Sequence, residues 1–325
     1  MKILRIIISL FLAGCMVFTI FFAKGLLKTH SIKETTDFKG VLTLWHIDSF
    51  EGGKGSRAQF LLKTARTFEK QENGVLVMVI THTKESAENQ MRQGDFPDMI
   101  SYGLGVEVKN LKELGGICNL KYGNVGKKQY AVPWCRGGYY FIENLDFKGD
   151  TSNVVVSEAE YTQPCIAMRL AGITGDDILV MSPMDAYVTF VADKTRYLVG
   201  TQRDVVRLSN RGKICKITPI KEFSDLYQYI SVLTADSEKY KLSIDFISLL
   251  LGKSEQTRLN QISMFSVVHS VIHDNEFLLD GQKTVIQNTL SPFISSVQLK
   301  SLQQDGLMWV KGDNSYEEKI KKILI

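Results

Sequence analysis

The sequence predicts an α/β protein built around a parallel sheet, spread over one large or two lobed domains behind an amino-terminal segment that engages the membrane. Three observations carry this. Apolar runs and stretches of helical period alternate, with short loops between them, over residues 41–102. The 325 residues exceed what one compact core ordinarily supports. Lys2 and Arg5 precede an uncharged run from Ile6 to Ala23, which Lys24 and Lys28 close. The composition, 44% hydrophobic and 23% charged, is that of a globular protein. The net charge of +4 comes from interleaved acids and bases without a basic block, which argues against a nucleic-acid partner. Six prolines and 25 glycines exclude collagen-like and low-complexity classes.

The amino-terminal run is about long enough to cross a thin bilayer. Within it, Leu12-Ala13-Gly14-Cys15 resembles a bacterial lipobox, in which Cys15 would be lipidated and begin the mature chain. Met16 to Ala23 stays apolar, however, where lipoproteins usually turn polar. Lipoprotein and uncleaved anchor therefore both stand, and either places the rest of the chain on the outer side of the membrane. Residues 1–28 are read as signal peptide or anchor, and 29–39 as a polar linker. Cys118, Cys135, Cys165 and Cys215 show no C-x-x-C or zinc spacing and are read as small apolar residues in packed positions. Export permits one or two disulfides among them, but spacing does not pair them.

Val41 to Trp45 reads as a buried strand that ends in a Gly-rich, charged loop, residues 46–56. Phe60, Leu61, Ala65 and Phe68 share one face of a helix over residues 57–70, which Asn73-Gly74 stops. Val75 to Ile80 forms a second strand, Lys84 to Gln93 a short helix ended by Gly94, and Met99 to Tyr102 a third strand after an Asp95–Asp98 turn. Ligands of such sheets gather beyond the carboxyl ends of the strands. Further on, residues 130–134 lead into an extended segment over 137–142, a short helix covers 186–192, and a strand at 196–199 delivers the loop Gly200–Asp204. Helices are expected over 237–251, 254–262 and 314–324, the last with Tyr316, Ile320 and Ile323 on one face.

The ordered set of segments resembles the family 1 extracellular solute-binding proteins, the sugar-receptor relatives of maltose-binding protein that serve ABC importers. It is carried by Gly40-Val-Leu-Thr-Leu-Trp-His-Ile-Asp-Ser-Phe-Glu-Gly-Gly, by Phe68-Glu69-Lys70 with Gly74-Val75, by Gly94-Asp-Phe-Pro-Asp-Met-Ile100, by Tyr130-Ala-Val-Pro-Trp134, and by 194–204, 229–252 and 259–267. No single motif among them is diagnostic. The resemblance implies a two-lobed periplasmic-binding-protein fold of type II-like form, with lobe 1 over 40–142 and 229–300, and lobe 2 over 143–228 with 301–325. Hinges are expected around Pro133-Trp134 and near Tyr227 to Ser231. One departure is evident: some fifty residues separate Phe141 from Lys194, where the family commonly has a much longer segment. The second lobe is therefore expected to be shortened.

A sugar receptor needs flat apolar surfaces for pyranose faces and fixed polar groups for hydroxyls. The loop after the first strand offers Trp45, Asp48 and Glu51; Tyr102 ends the third strand; Trp134 and Arg136 sit at the expected hinge; Gln202, Arg203 and Asp204 end a strand of the second lobe. These nine are the candidate ligand-binding residues, although Trp45 reads equally as core, and Arg203 and Asp204 equally as a pair of their own. Trp309 reads as packing.

Other chemistry finds little support. Gly52-Gly53-Lys54-Gly55-Ser56 fails the phosphate-loop spacing, and no G-x-S-x-G elbow or H-E-x-x-H is present. His269 and His273 lack a third ligand at the required spacing, and Glu158, Glu160, Asp176 and Asp177 read as loop acids. The expectation is a non-enzymatic, cofactor-free, monomeric receptor that captures a small solute, foremost a mono- or oligosaccharide, and delivers it to ABC permease subunits. The alternative is a sensory or orphan receptor of the same fold that signals to a membrane partner. A secreted carbohydrate-active enzyme is the remaining, weaker reading.

Overall fold

The computed structural model describes residues 38–325 except Glu51, Asn119 and His269. The leader with Cys15, most of the expected linker, Glu51 and one member of the histidine pair thus lie outside the described residues. No described helix is long and apolar enough to cross a membrane.

Strand β1 (Gly40–Ile47) runs into helix α1 (Arg57–Gln71), β2 (Val75–His82), α2 (Lys84–Gln93) and β3 (Met99–Tyr102). Local chemistry sets these limits. Ser56 caps α1 by accepting from Gln59 N, Thr83 caps α2 through Ser86 N, and Gly94 ends α2 at φ 96°, a conformation that glycine adopts without Cβ strain. β1 pairs in parallel with both β2 and β3. A two-residue-stranded hairpin, β4 (Asn124–Val125) with β5 (Lys128–Gln129), leads to β6 (Val132–Arg136).

The chain then leaves the first sheet. β7 (Tyr139–Asn144), β8 (Val154–Ser157), α3 (Pro164–Leu170), β9 (Ile178–Met181), α4 (Pro183–Val191), β10 (Tyr197–Thr201), α5 (Gln202–Asn210) and β11 (Cys215–Pro219) build the second lobe. The chain returns as β12 (Tyr227–Val232), followed by α6 (Ser237–Leu250), α7 (Lys253–Arg258), α8 (Glu276–Lys283), α9 (Ser296–Val310) and α10 (Ser315–Lys321). The first sheet has the order β2-β1-β3-β12-β6 and the second the order β11-β7-β10-β8-β9. The fold is the expected two-lobed α/β architecture, and the segment between Phe141 and Lys194 still supplies β8, α3, β9 and α4.

The two crossings fall at Gly137-Gly138 and at residues 220–226. Residues 139–142 therefore belong to the second sheet, and residues 227–228 to the first, a shift of a few residues from the expected boundaries. α8 packs on α5 and β11, hence on the second lobe, and α9 packs on α3. Its capping box, Ser295 with Gln298, and its buried Leu299, Leu302 and Trp309 account for a 15-residue helix. The four described cysteines are free, Cys135 and Cys165 fully buried.

Candidate functional site

Between the lobes lies a cavity of about 340 Å³. Its floor is the carboxyl end of the first sheet: Asp48 and Ser49 after β1, and Thr81 to Glu85 from the end of β2 into α2. Glu160 and Tyr161, on the loop after β8, close it from the second lobe. The size suits a small solute, and an occupant would touch both lobes.

Tyr161 has φ of 63°, a left-handed conformation that a residue with a Cβ adopts at a cost. Its ring is partly buried, lies beside Gly105 and receives Lys84 Nζ, 4.4 Å from the centroid, from across the cleft. Burial and the neighbouring Glu160 push its hydroxyl up to about 12, so it stays a hydrogen-bond donor at neutral pH. His82 lines the cavity with its ring 4.5 Å from that of Trp45. Burial lowers its pKa, and its Nε2 has no partner among the described residues.

Asp48 is anchored from below. Arg57 Nε donates to its Oδ1 at 2.8 Å, and His46 Nε2 meets the same oxygen at 3.0 Å. Arg57 also donates to the carbonyl of Phe50, which ties the loop after β1 to α1. Burial works against the Asp48 charge, but His46 and Arg57 outweigh it and hold the carboxyl at about 2. His46 itself is fully buried, and burial keeps it neutral against the pull of Asp48. A fixed, ionised carboxylate therefore sits at the cleft floor, half exposed toward the cavity.

Of the candidate residues, Asp48 lines this cavity, and Trp45 supports it through His82 while being 6% exposed itself. The others are placed elsewhere. Tyr102 is buried between the central strands, its hydroxyl 3.1 Å from Ser231 Oγ. Trp134 points into the first lobe rather than toward the cleft: it is fully buried, stacks on Phe60 at 5.6 Å, and its indole N–H donates to Ser101 Oγ. The physical reason is that α1 covers this face of β6, so the Trp134 ring has a core to enter beside Phe60. Arg136 is buried and its Nη2 donates to the carbonyls of Gly281, Gln282 and Thr284 at the carboxyl end of α8. Gln202, Arg203 and Asp204 form the first turn of α5 instead of a loop, because Thr201 and Asp204 make a capping box ahead of Val205, Val206 and Leu208. The Gln202 side chain is buried and accepts from Gly138 N at 3.0 Å, pinning the first crossing. Arg203 is half-buried beside the capping threonine, its backbone N–H donating to Thr201 Oγ1. Where these strand ends of the second lobe approach Phe50 and Leu226, only about 10 Å³ of space remains.

Sequence reasoning passed over Thr81, His82, Thr83, Lys84, Glu85, Glu160 and Tyr161. For the first five the signal was present, since they follow the carboxyl end of a strand already recognised. No group of three or more metal-ligating side chains occurs among the described residues.

No protein-family model matches the sequence, and no curated protein matches it at sequence level. Solved structures do match in fold. The sugar-binding protein MalE from Xanthomonas citri superposes with a TM-score of 0.63 at 11% identity, over 87% of this chain and 95% of its own. The chain has the two-lobed fold of the ABC sugar-binding proteins. The GacH receptor of Streptomyces glaucescens, whose structures include a complex with acarbose, matches with a TM-score of 0.59 at 13% identity, over 88% and 96% of the two chains. Iron-bound HitA from Pseudomonas aeruginosa matches with a TM-score of 0.54 at 12% identity, over 82% and 99%. Ligands as different as acarbose and iron on one fold mean that the fold leaves the solute open, and the cleft must choose it.

Proposed function

We infer that this protein is a solute-binding receptor that captures a small carbohydrate between its lobes and hands it to an ABC importer from the outer face of the membrane, tethered by its amino-terminal segment. The single observation that carries this reading is the chemistry of the inter-lobe cavity: one aromatic ring, Tyr161, opposite an ionised Asp48 and a border of hydroxyls from Ser49, Thr81 and Thr83. A ring face suits the C–H surface of a pyranose, and fixed acceptors and donors suit its hydroxyls. Because an occupant touches both lobes, it favours the closed arrangement over the open one, and closure is the signal a permease reads. The role is capture and release, with no bond made or broken.

The test is thermal melting of the full-length protein against a panel of mono- and oligosaccharides, repeated with Tyr161→Ala and Asp48→Asn. A sugar at a hundred times its Kd adds about 2.7 kcal/mol, a shift of several degrees for a chain this size. A shift with one sugar class that both substitutions abolish, in proteins that still melt cooperatively, supports the reading. A cooperative melt that no sugar moves would redirect attention to a receptor for another solute, or one that signals.

A further inference from the structure

A second cavity, of about 80 Å³, lies at the first crossing, away from the residues of the cleft. Tyr122, Arg136 and Tyr227 line one part of it, and Gln282, Thr284, Val285 and Ile286, in the chain leaving α8, line another. Among its described lining residues Arg136 carries the only charge. That residue is 7% exposed and forms none of the described ion pairs. The titratable groups that bear on it are the hydroxyls of Tyr227, Tyr140 and Tyr122, and burial keeps those of Tyr227 and Tyr140 protonated. A guanidinium this buried without a counter-charge is costly.

Its protein contacts satisfy one nitrogen only. Nη2 donates to three carbonyls at the end of α8, at 2.9, 2.9 and 3.1 Å, whereas Nε and Nη1 have no partner among the described residues. Most other polar groups around the cavity are engaged. Ser266 Oγ donates to Gln256 Oε1, the Gln282 amide pairs with the backbone of Ser266, and Thr284 Oγ1 donates to the carbonyl of Asp280. What stays available is the free edge of the guanidinium and, beside it, the hydroxyls of Tyr122 and Tyr227, which hydrogen-bond to each other with their rings 5.3 Å apart. The guanidinium edge offers only donors, the hydroxyl pair keeps one proton to donate, and 80 Å³ holds several waters or one tetrahedral oxyanion.

We propose that this cavity is a binding site for a small oxyanion of phosphate or sulfate size, received by the free edge of Arg136 with help from Tyr122 and Tyr227. The forked geometry of a guanidinium matches two oxygens of such an ion, and partial desolvation strengthens the pair. The ion supplies the counter-charge that the chain withholds. It also contacts the ends of β6 and β12 on one side and the segment after α8 on the other, so occupancy stiffens the junction between the lobes.

The experiment is melting of the full-length protein in sodium phosphate or sodium sulfate against sodium chloride at equal ionic strength, with calorimetric titration by inorganic phosphate. The expected result is a saturable binding isotherm, and a rise of several degrees over chloride once phosphate reaches a hundred times its Kd. Arg136→Gln should remove this response, but it also cuts the tie to α8. A second variant, Val285→Glu, is therefore needed; Val285 lines the cavity and is 67% exposed, so the change should be tolerated by the fold. Its carboxylate supplies an internal counter-ion, and the oxyanion response should fall at least tenfold in affinity while the melt in chloride stays cooperative. A response that fails to saturate in the unaltered protein, or one that Val285→Glu leaves intact, overturns the proposal.

Discussion

Lys84 of the first lobe and Tyr161 of the second meet across the cleft, the ammonium 4.4 Å from the ring centroid. They are a direct polar contact between the lobes at the cavity, and because Lys300 Nζ also lies 5.6 Å from the same centroid, an occupant that stacks on this ring must displace a lysine. Tyr161→Ala should weaken sugar binding tenfold or more, equivalent to about 1.4 kcal/mol, in calorimetric titration. Tyr161→Gly should bind equally poorly yet melt higher than Tyr161→Ala, by about 1 kcal/mol in stability, because only the glycine relaxes the left-handed backbone at φ 63°. Equal stability of the two variants would refute this account of residue 161.

Trp134 yields the opposite expectation. With its ring buried against Phe60 and its N–H held by Ser101, Trp134→Ala should cost about 3–5 kcal/mol in denaturant unfolding. Any loss of ligand binding should follow from unfolding alone. A stable Trp134→Ala protein that has lost affinity would return this residue to the ligand site.

Asp225 makes stability depend on pH. It lies in the second crossing, fully buried, with Oδ1 accepting from Tyr139 at 2.7 Å and Oδ2 without a partner among the described residues. Burial raises its carboxyl to about 7, the hydrogen bond from Tyr139 only partly opposing this. The folded state therefore holds the proton more tightly than the unfolded one. The resulting stability is full below about pH 4 and is lost as pH rises through about 7. Asp225→Asn should flatten that slope and raise stability at pH 8 by an amount on the order of 2–4 kcal/mol, measured by urea unfolding across pH. An unchanged slope would disprove the assignment.

On the acid side, Asp48 contributes. Its carboxyl is held at about 2, below its usual 3.8, so its contribution is present above pH 4 and fades as pH falls toward 2. The group is half exposed, so solvent screening keeps the effect modest. Arg57→Gln should be much the more harmful change, because it also frees the Phe50 loop. Comparing acid titrations of stability for Asp48→Asn and the unaltered protein checks this: the unaltered protein should lose more stability between pH 4 and 2, while Asp193 and Asp313, also held below their usual range, contribute equally to both.

The parts of the fold that were legible in the sequence are those whose logic is local. Phe60, Leu61, Ala65 and Phe68 are buried on one face of α1, and Gly94 ends α2 as glycine-stopped helices do. The second lobe was harder, since β8 is a short run of buried Val154 to Ser157 with no alternation, which periodicity alone does not distinguish from a helix fragment. α9 and α5 carried readable capping boxes, and overlooking the one at Thr201 turned the start of a helix into a loop. In the site, Asp48 was visible because it follows an evident strand. Tyr161 was not: its role comes from a backbone twist and from a lysine more than seventy residues earlier, neither of which leaves a local pattern. Trp134 misled for the same reason, because its neighbour Phe60 is remote in sequence.

Arg136 pairs in register with Tyr227 on the first sheet, so the chain departs from that sheet and comes back to it at adjacent rungs. In genetic terms the stretch 137–226 is a cassette whose two ends already touch. A sequence encoding a different α/β module could be spliced between those rungs without lengthening or re-registering a strand of the first sheet. The limit on such grafts is set by α8 and α9, which come later in the chain yet lean on that cassette and would have to be exchanged along with it.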